Sequence, residues 1–515
     1  MRKWLRLMGV FAALLLMTAN LALAAGPQES VKEYLVGFRA GHSAKGLAVA
    51  GVKVKDDWSD LGAAHVSATA AGLRGLQNHP DIAYVEEDVP RYAMGTFTDG
   101  AYTWGLQAVN APAAWSLGAQ GAGRKVCILD TGINAAHPEF TRPDGTSVIK
   151  ATANFTTSPS VADVVGHGTH VAGTVAGQLN ASGSYIGVAP GVDLYIAKVL
   201  GDNGSGKSSW VINGMKWCTS QGANIASLSL GSSRGSVAER KQFDSSYSKG
   251  VLSLAAAGNA GNATLSYPAG YASVVSVAAV DQNLGHASFS QYNSDVELAA
   301  PGVSVLSAVP LGTGVKGSAS ENGVAYGNNP LEFSGKGNIT GPLVECGLAD
   351  TATSCTGMPA SGAWIAMISR GSVAFSTKIT NVMGQGAAAA IIANNDTANP
   401  DDVGSFTLGS AGNWIPTTSV SYNSGVAIRS DGLASGNVTI TAWDYAYYAG
   451  TSMATPHASA VAALAWSVKP ALTNAKIRTV LQSSAKDLGT AGRDVYFGYG
   501  LVQADAAVNL AKVTN

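Results

Sequence analysis

The sequence predicts an α/β protein, a parallel sheet covered by helices on both faces, with a small α+β unit in front and a mainly β region set into it. Three observations carry this. From Trp104 to Pro310 apolar strands alternate with helical stretches. Those strands are continuously apolar rather than alternating, as strands buried on both faces must be. Between about Leu311 and Trp443 the composition turns rich in Gly, Ser and Asn before a long Ala-rich helix resumes the earlier character.

Composition narrows the classes further. At roughly 150 residues per domain, 515 residues allow about three domains. An apolar content of 46% argues against a disordered chain. A net charge of −1 gives no basic footprint for nucleic acid. The four cysteines, at 127, 218, 346 and 355, are too few for a disulfide-built scaffold and lack the CxxC spacing of a metal site.

Taken in order, Arg2, Lys3 and Arg6 precede an apolar run from Leu7 to Met17, and Ala22-Leu23-Ala24 has the small residues of a cleavage site. Residues 1–24 therefore read as a secretory signal peptide, and an exported protein is expected. Thr18 and Asn20 stop the run short of the roughly twenty residues a membrane span needs. No later segment is long enough, so no membrane association is expected. Strands at Tyr34–Phe38 and Ile82–Val85 flank a helical pattern at Ser67–Leu76. They make an α+β unit over residues 31–94, too small to be comfortably stable alone. Met94–Tyr102 reads as a linker. The main sheet follows, with strands at Lys125–Leu129, Leu194–Val199, Ile225–Leu230 and Val251–Ala257, and helices at Gly168–Gly177 and Ser209–Gln221. In such sheets functional residues gather at the carboxyl ends of the strands. The inserted region has its own strands at Ala363–Ile368 and Ala387–Ala393, and the chain closes with helices at Ala454–Val468 and near Gln503–Ala511.

Three segments carry candidate chemistry. Asp130-Thr131-Gly132 follows directly on a strand, where a buried acid could orient an imidazole. An aspartic protease would need a second such carboxylate, and no other Asp-Thr-Gly or Asp-Ser-Gly occurs. His167, flanked by Gly166 and Gly168, is placed to shuttle protons. His170 three residues on reads as a packed residue, because a zincin needs a Glu between two His spaced by four. Ser452 opens the Ala-rich helix; such a Ser is ordinarily an N-cap, but free N–H groups there also stabilise developing negative charge.

Together these segments resemble the subtilisin-like serine proteases, the subtilases. Val126–Ile133 is similar to the family's Asp segment, His167–Gly173 to its His segment and Gly450–His457 to its Ser segment, in the family's order. Ala255-Ala256-Ala257-Gly258-Asn259 resembles the segment of the oxyanion-hole Asn, and Ser227–Gly231 the strand that pairs with substrate. The resemblance implies a subtilisin-like catalytic domain over 101–515, with Asp130, His167 and Ser452 as the triad and Asn259 as an oxyanion donor. It implies a pocket for the residue before the cut walled by Ser229, Leu230, Gly231, Ala256, Ala257 and Gly258, with Ser266 near its base. No acid stands there to select Lys or Arg, so large apolar or aromatic residues are expected. Ser208 and Val211 fall at a remoter pocket. Residues 31–94 resemble an inhibitor-type prosegment, an intramolecular inhibitor removed by the enzyme itself at a junction between Met94 and Ala101. Residues 318–436, with Ile365–Gly371, Phe375, Lys378 and Gly386–Ile392, resemble a protease-associated domain that shapes access for large substrates.

Further expectations follow from the same resemblance. Catalysis needs no cofactor, while Gln107, Glu139 and Asn180 fall near a family calcium position, with Glu139 equally readable as a solvated acid. Cys346 and Cys355 are expected to form a local disulfide in an exported protein. Cys127 and Cys218 either pair or remain buried thiols. The expected protein is a monomeric, secreted endopeptidase of broad specificity acting on proteins and peptides. A catalytically silent binding protein and a secreted esterase are the rivals. An α/β-hydrolase esterase would show Gly-x-Ser-x-Gly ahead of its Asp and His; here Ser452 comes last.

Overall fold

The computed structural model describes residues 31–88, 90–93, 96–97, 104–178, 186–397, 400–404, 406–409 and 412–515. The expected signal peptide, most of the linker and Asn180 lie outside the described residues. The chain divides into two compact units, one through Asp88 and one from residue 89 onward.

The first unit is a four-stranded antiparallel sheet in the order Val52–Trp58, Ala63–Ala68, Lys32–Phe38, Ile82–Glu87. The helix Ala70–Gln77 begins at Thr69, whose hydroxyl accepts the Gly72 N–H at 3.1 Å. Val36, Phe38, Val66, Leu76 and Ile82 form its core. Here the structure departs from the sequence reading. Ser67 and Ala68, expected to start the helix, end a strand that pairs with residues 32–37, and Val52–Trp58 adds a strand the apolar pattern did not announce. Cross-strand pairing outweighs local helix preference there.

The second unit is built on seven parallel strands. Their order is Val296–Pro301, Val274–Val280, Leu252–Ala256, Ile225–Leu228, Lys125–Asp130, Asp193–Lys198, Ile149–Asn154. Within Lys125–Asp130, Val126 and Ile128 enter one core while Cys127 and Leu129 enter the other, as the two-residue period requires. The first core packs the helices His167–Ala176, Thr451–Val468, Asn474–Ser484 and Ala504–Val513; the second packs Ser208–Ser220 and Val237–Ser248. Both faces are thus covered, as predicted. The chain runs from the Asp130 strand to one edge of the sheet and then crosses back to build the other side. Asp130 therefore ends the strand at which the order reverses, where such sheets leave a crevice for function.

The inserted region opens and closes on one antiparallel pair, Gly314–Glu321 with Ser435–Trp443, in which Gly314 faces Trp443. This pair belongs to an eight-stranded mixed sheet, and the helices Phe375–Gly384 and Tyr422–Ser430 lie in the same region. Its own core includes Trp364, Ile368, Ile379, Val382 and Ile392. Both cysteine pairs are joined: Cys346 to Cys355 within this region, and Cys127 of the Asp130 strand to Cys218 of the helix Ser208–Ser220, with Cα atoms 5.8 Å apart.

Candidate active site

Asp130 is fully buried at its strand end. Its Oδ1 accepts the Thr131 N–H at 2.7 Å and lies 2.7 Å from His167 Nδ1. Since a carboxylate oxygen only accepts, the imidazole proton is assigned to Nδ1, and Nε2 is left as the acceptor. Two glycines let these segments meet. Gly132 adopts φ 110°, and a Cβ there would stand 2.1 Å from the Val161 carbonyl oxygen; one on Gly168 would stand 2.3 Å from the Gly132 oxygen. The approach is then fixed by polar contacts. Thr131 Oγ1 donates to Asp163 Oδ1 at 2.8 Å and accepts the Gly168 N–H at 2.8 Å, while Asp163 Oδ2 accepts from the Thr169 hydroxyl at 2.7 Å. Thr131 belongs to the segment singled out from the sequence; Asp163, which joins it to Gly166 and Thr169, was not anticipated.

Ser452 lies in the first turn of the helix Thr451–Val468, which is buried through Trp466. Pro456 sits inside this helix and has no N–H for the Ser452 carbonyl four residues earlier. The Ser229 hydroxyl replaces that donor at 2.6 Å, and Ser452 Oγ in turn donates to the Ser229 carbonyl at 3.1 Å. Asn259 Oδ1 accepts from both the backbone N–H and the hydroxyl of Thr451, at 2.9 and 2.8 Å. The Ser, Asn and edge-strand segments are therefore tied together by direct bonds. His170 is a packed residue, as expected: it lies 2.8 Å from the Val305 carbonyl oxygen, stacks on Tyr448 with centroids 4.3 Å apart, and is pushed by burial to about 3. His457, not anticipated, is likewise buried beside the Met453 carbonyl and pushed down to about 4.

Leu230 and Gly231 are buried beside Ser229. Ala256 ends its strand, Ala257 and Gly258 follow, and the Gly258 N–H donates to Thr451 Oγ1 at 3.2 Å. Tyr267 exchanges backbone hydrogen bonds with Ser232 at 2.8 and 2.9 Å, which brings buried Ser266 to the same wall. Ser208 and Val211 are buried in their helix. Residues 90–93 lie as a strand between Ser205–Lys207 and Leu230–Gly231, antiparallel to both, with Tyr92 opposite Ser205 and Gly231. Residues 96 and 97 pair in turn with Ala449 and Tyr448. A cavity of about 540 Å³ adjoins His167's segment, lined by Val164, Val165 and Asp202 on one side and by Glu332, Phe333 and Phe406 of the insert on the other.

Of the residues expected for calcium, Gln107 is exposed and Asn180 lies outside the described residues. Glu139 is fully buried rather than solvated; its Oε1 accepts from the Tyr445 hydroxyl at 2.6 Å, and burial pushes the carboxyl up to about 7. Calcium takes six to eight oxygen ligands. With Gln107 exposed and Glu139 bonded to Tyr445, the described residues do not assemble such a set around these positions.

The family profile of the subtilases matches residues 121–338 and 350–500. M-protease of Shouchella clausii (strain KSM-K16) is 36% identical over 319 residues, covering 59% of this chain and 80% of that protein. Subtilisin E of Bacillus subtilis (strain 168) is 37% identical over 305 residues, covering 57% and 77%. Among solved structures, the psychrophilic subtilisin-like protease Apa1 from the Antarctic psychrotroph Pseudoalteromonas sp. AS-11 is similar at TM-score 0.62 and 35% identity, covering 80% of this chain and 99% of that one.

Proposed function

The chain belongs to the subtilase family and is a subtilisin-like serine endopeptidase; from that premise we propose that Asp130, His167 and Ser452 carry the reaction in an exported enzyme made as a precursor. The observation that carries the assignment is the 2.7 Å contact between His167 Nδ1 and buried Asp130. It leaves Nε2 free of the proton, so that His167 can take one from the Ser452 hydroxyl as that oxygen attacks the peptide carbonyl. Asp130 then stabilises the imidazolium. The Asn259 amide and the Ser452 backbone N–H donate to the oxyanion as it forms. His167 next gives its proton to the leaving amine, and water repeats the sequence on the acyl-enzyme.

Residues 31–94 act in this reading as a prosegment. The support is the strand 90–93, which takes the place of substrate between Ser205–Lys207 and Leu230–Gly231. The enzyme removes this segment by cutting just beyond that strand. Small side chains at Ala256, Ala257 and Ser266 favour large apolar or aromatic residues before the cut, within a broad specificity. The insert, in the manner of a protease-associated domain, shapes access for large substrates, and its share of the 540 Å³ cavity beside His167's segment supports this role. Export rests on the N-terminal signal pattern. Among the described residues no helix is long and apolar enough to cross a membrane.

The test is casein hydrolysis by wild type and by Ser452→Ala, with and without a serine-directed covalent inhibitor. Activity is expected only in uninhibited wild type, with the variant folded by circular dichroism. Full activity in the variant would overturn the assignment.

A further inference from the structure

We propose that the N-terminal unit holds a zinc site made by Glu33, His65 and Asp88. The three come from one sheet. His65 lies in Ala63–Ala68, Glu33 in the neighbouring strand Lys32–Phe38, and Asp88 directly after Ile82–Glu87 on that strand's far side. Leu35 faces His65 across the pair, so Glu33, two residues along, shares its face of the sheet. The Asp88 N–H donates to the Glu33 carbonyl at 3.1 Å, which fixes the backbones of the two acids together.

The spacing of the donor atoms matches a metal better than a hydrogen bond. His65 Nε2 lies 3.5 Å from Glu33 Oε2 and 3.6 Å from Asp88 Oδ2. His65 is only 4% exposed, and its Nε2 makes no hydrogen bond. A tetrahedral zinc with bonds of about 2.0–2.2 Å sets its ligand atoms roughly 3.3–3.6 Å apart. A proton on Nε2 could be directed at only one of the two oxygens. A cation between them serves both.

The surroundings agree. A zinc-bound imidazole characteristically presents its other nitrogen to a carboxylate, which fixes the ring and raises its basicity. Here Nδ1 lies 2.9 Å from Oδ2 of Asp56, the residue opposite His65 on the outer strand. Three carboxylates, Glu33, Asp56 and Asp88, surround the ring, with Lys55 paired to Glu33 as a counter-charge. The excess of two negative charges is what a dication offsets. An imidazole ligand selects zinc over calcium or magnesium. Three protein ligands leave the fourth position to water. Joining three strands by one ion is a usual way to stabilise a unit this small.

The experiment uses the full-length Ser452→Ala protein, so that the N-terminal unit stays attached. If the proposed peptidase function were wrong, the wild-type chain would also stay whole and the same measurement would apply. After chelation and dialysis the protein is titrated with ZnCl₂ by calorimetry and with CoCl₂ by visible absorption. One equivalent of zinc and the intense bands of four-coordinate cobalt are expected. His65→Gln and Glu33→Gln each lose that equivalent. Asp56→Asn, which keeps all three ligands and guards against a misfolded ligand variant, keeps the equivalent but weakens it roughly 10–100-fold. Absence of zinc binding, or an unchanged titration in both His65→Gln and Glu33→Gln, would overturn the site.

Discussion

The side-chain oxygen of Asn259 accepts two hydrogen bonds from Thr451, one from its N–H at 2.9 Å and one from its hydroxyl at 2.8 Å. With the oxygen taking both bonds from Thr451, the amide's donors are assigned to its other end, the nitrogen. Thr451 thus acts as a positioning residue for Asn259. Replacing Asn259 with Ala should lower kcat on the order of 10²–10³-fold with little change in KM, a scale established in subtilisin, a relative of this chain. Thr451→Val keeps the N–H and loses only the hydroxyl, so kcat should fall up to about tenfold. Steady-state kinetics on one peptide check both, and a Thr451→Val effect confined to KM would contradict the positioning role.

If residues 31–94 are the prosegment proposed above, the strand 90–93 predicts a cut just beyond it. Tyr92 stands opposite Gly231 and Ala93 opposite Leu230, and the residue before Leu230, Ser229, is the one bonded to Ser452. Wild-type protein should begin at Gly95 when its N-terminus is sequenced, and Ser452→Ala should stay uncut. Met94→Pro should slow processing at least tenfold. A first N-terminus found between residues 97 and 104 would refute this register.

Acid stability should reflect two buried histidines. His170 and His457 are held neutral at about 3 and about 4, against an ordinary 6.5. The folded chain therefore binds fewer protons than the unfolded one across that span. The stability each contributes is full above about pH 6.5 and is lost as pH falls toward 3–4. Glu139 and Glu332 work oppositely. Burial raises both from 4.5 to about 7, so their contribution is full below about 4.5 and is lost as pH rises toward 7. The pairs oppose each other from about 4.5 to 6.5, and below that range only the histidines act. In urea melts of the Ser452→Ala protein, His457→Gln should remove about 1.4 kcal/mol per pH unit of the loss between about pH 6 and 4.5, and less as pH falls through 4. An unchanged slope would show that His457 is not held neutral.

The two disulfides should differ in weight. Cys127–Cys218 closes a separation of 91 residues and Cys346–Cys355 one of 9. On chain entropy, removing the first by paired Ala substitutions should cost about 4–5 kcal/mol and the second about 2–3. Denaturant melts of the two double variants test the order, and equal losses would reject it.

What the sequence made legible was what neighbouring residues determine. The run Val126-Cys127-Ile128-Leu129 identified a strand buried on both faces, and Asp130 at its end was a candidate from position alone. His167 and Ser452 stood out through flanking glycines and a helix start. Features set by distant partners stayed hidden. Glu139 read as a solvated acid or a calcium ligand because Tyr445, 306 residues later, decides its burial and bonding. Asp163 has no local mark, since its role consists of contacts to Thr131 and Thr169. Ser67 and Ala68 read as helix because their pairing with residues 32 and 33 is not written in their own segment. Whether Cys127 and Cys218 meet depends on how a helix lies across a strand, which spacing does not encode.

Pro456 bears on the order in which this enzyme can assemble. The Ser452 carbonyl gains its donor from Ser229, 223 residues earlier in the chain, rather than from the helix itself. The nucleophile's turn is therefore not completed when its helix forms. It closes only after a contact spanning nearly half the chain is made, and contacts of such sequence separation are the slow ones in folding. A chain caught before that step would own a formed helix and an unfinished active site. In the proposed reading, proteolytic competence would thus wait on that long-range contact.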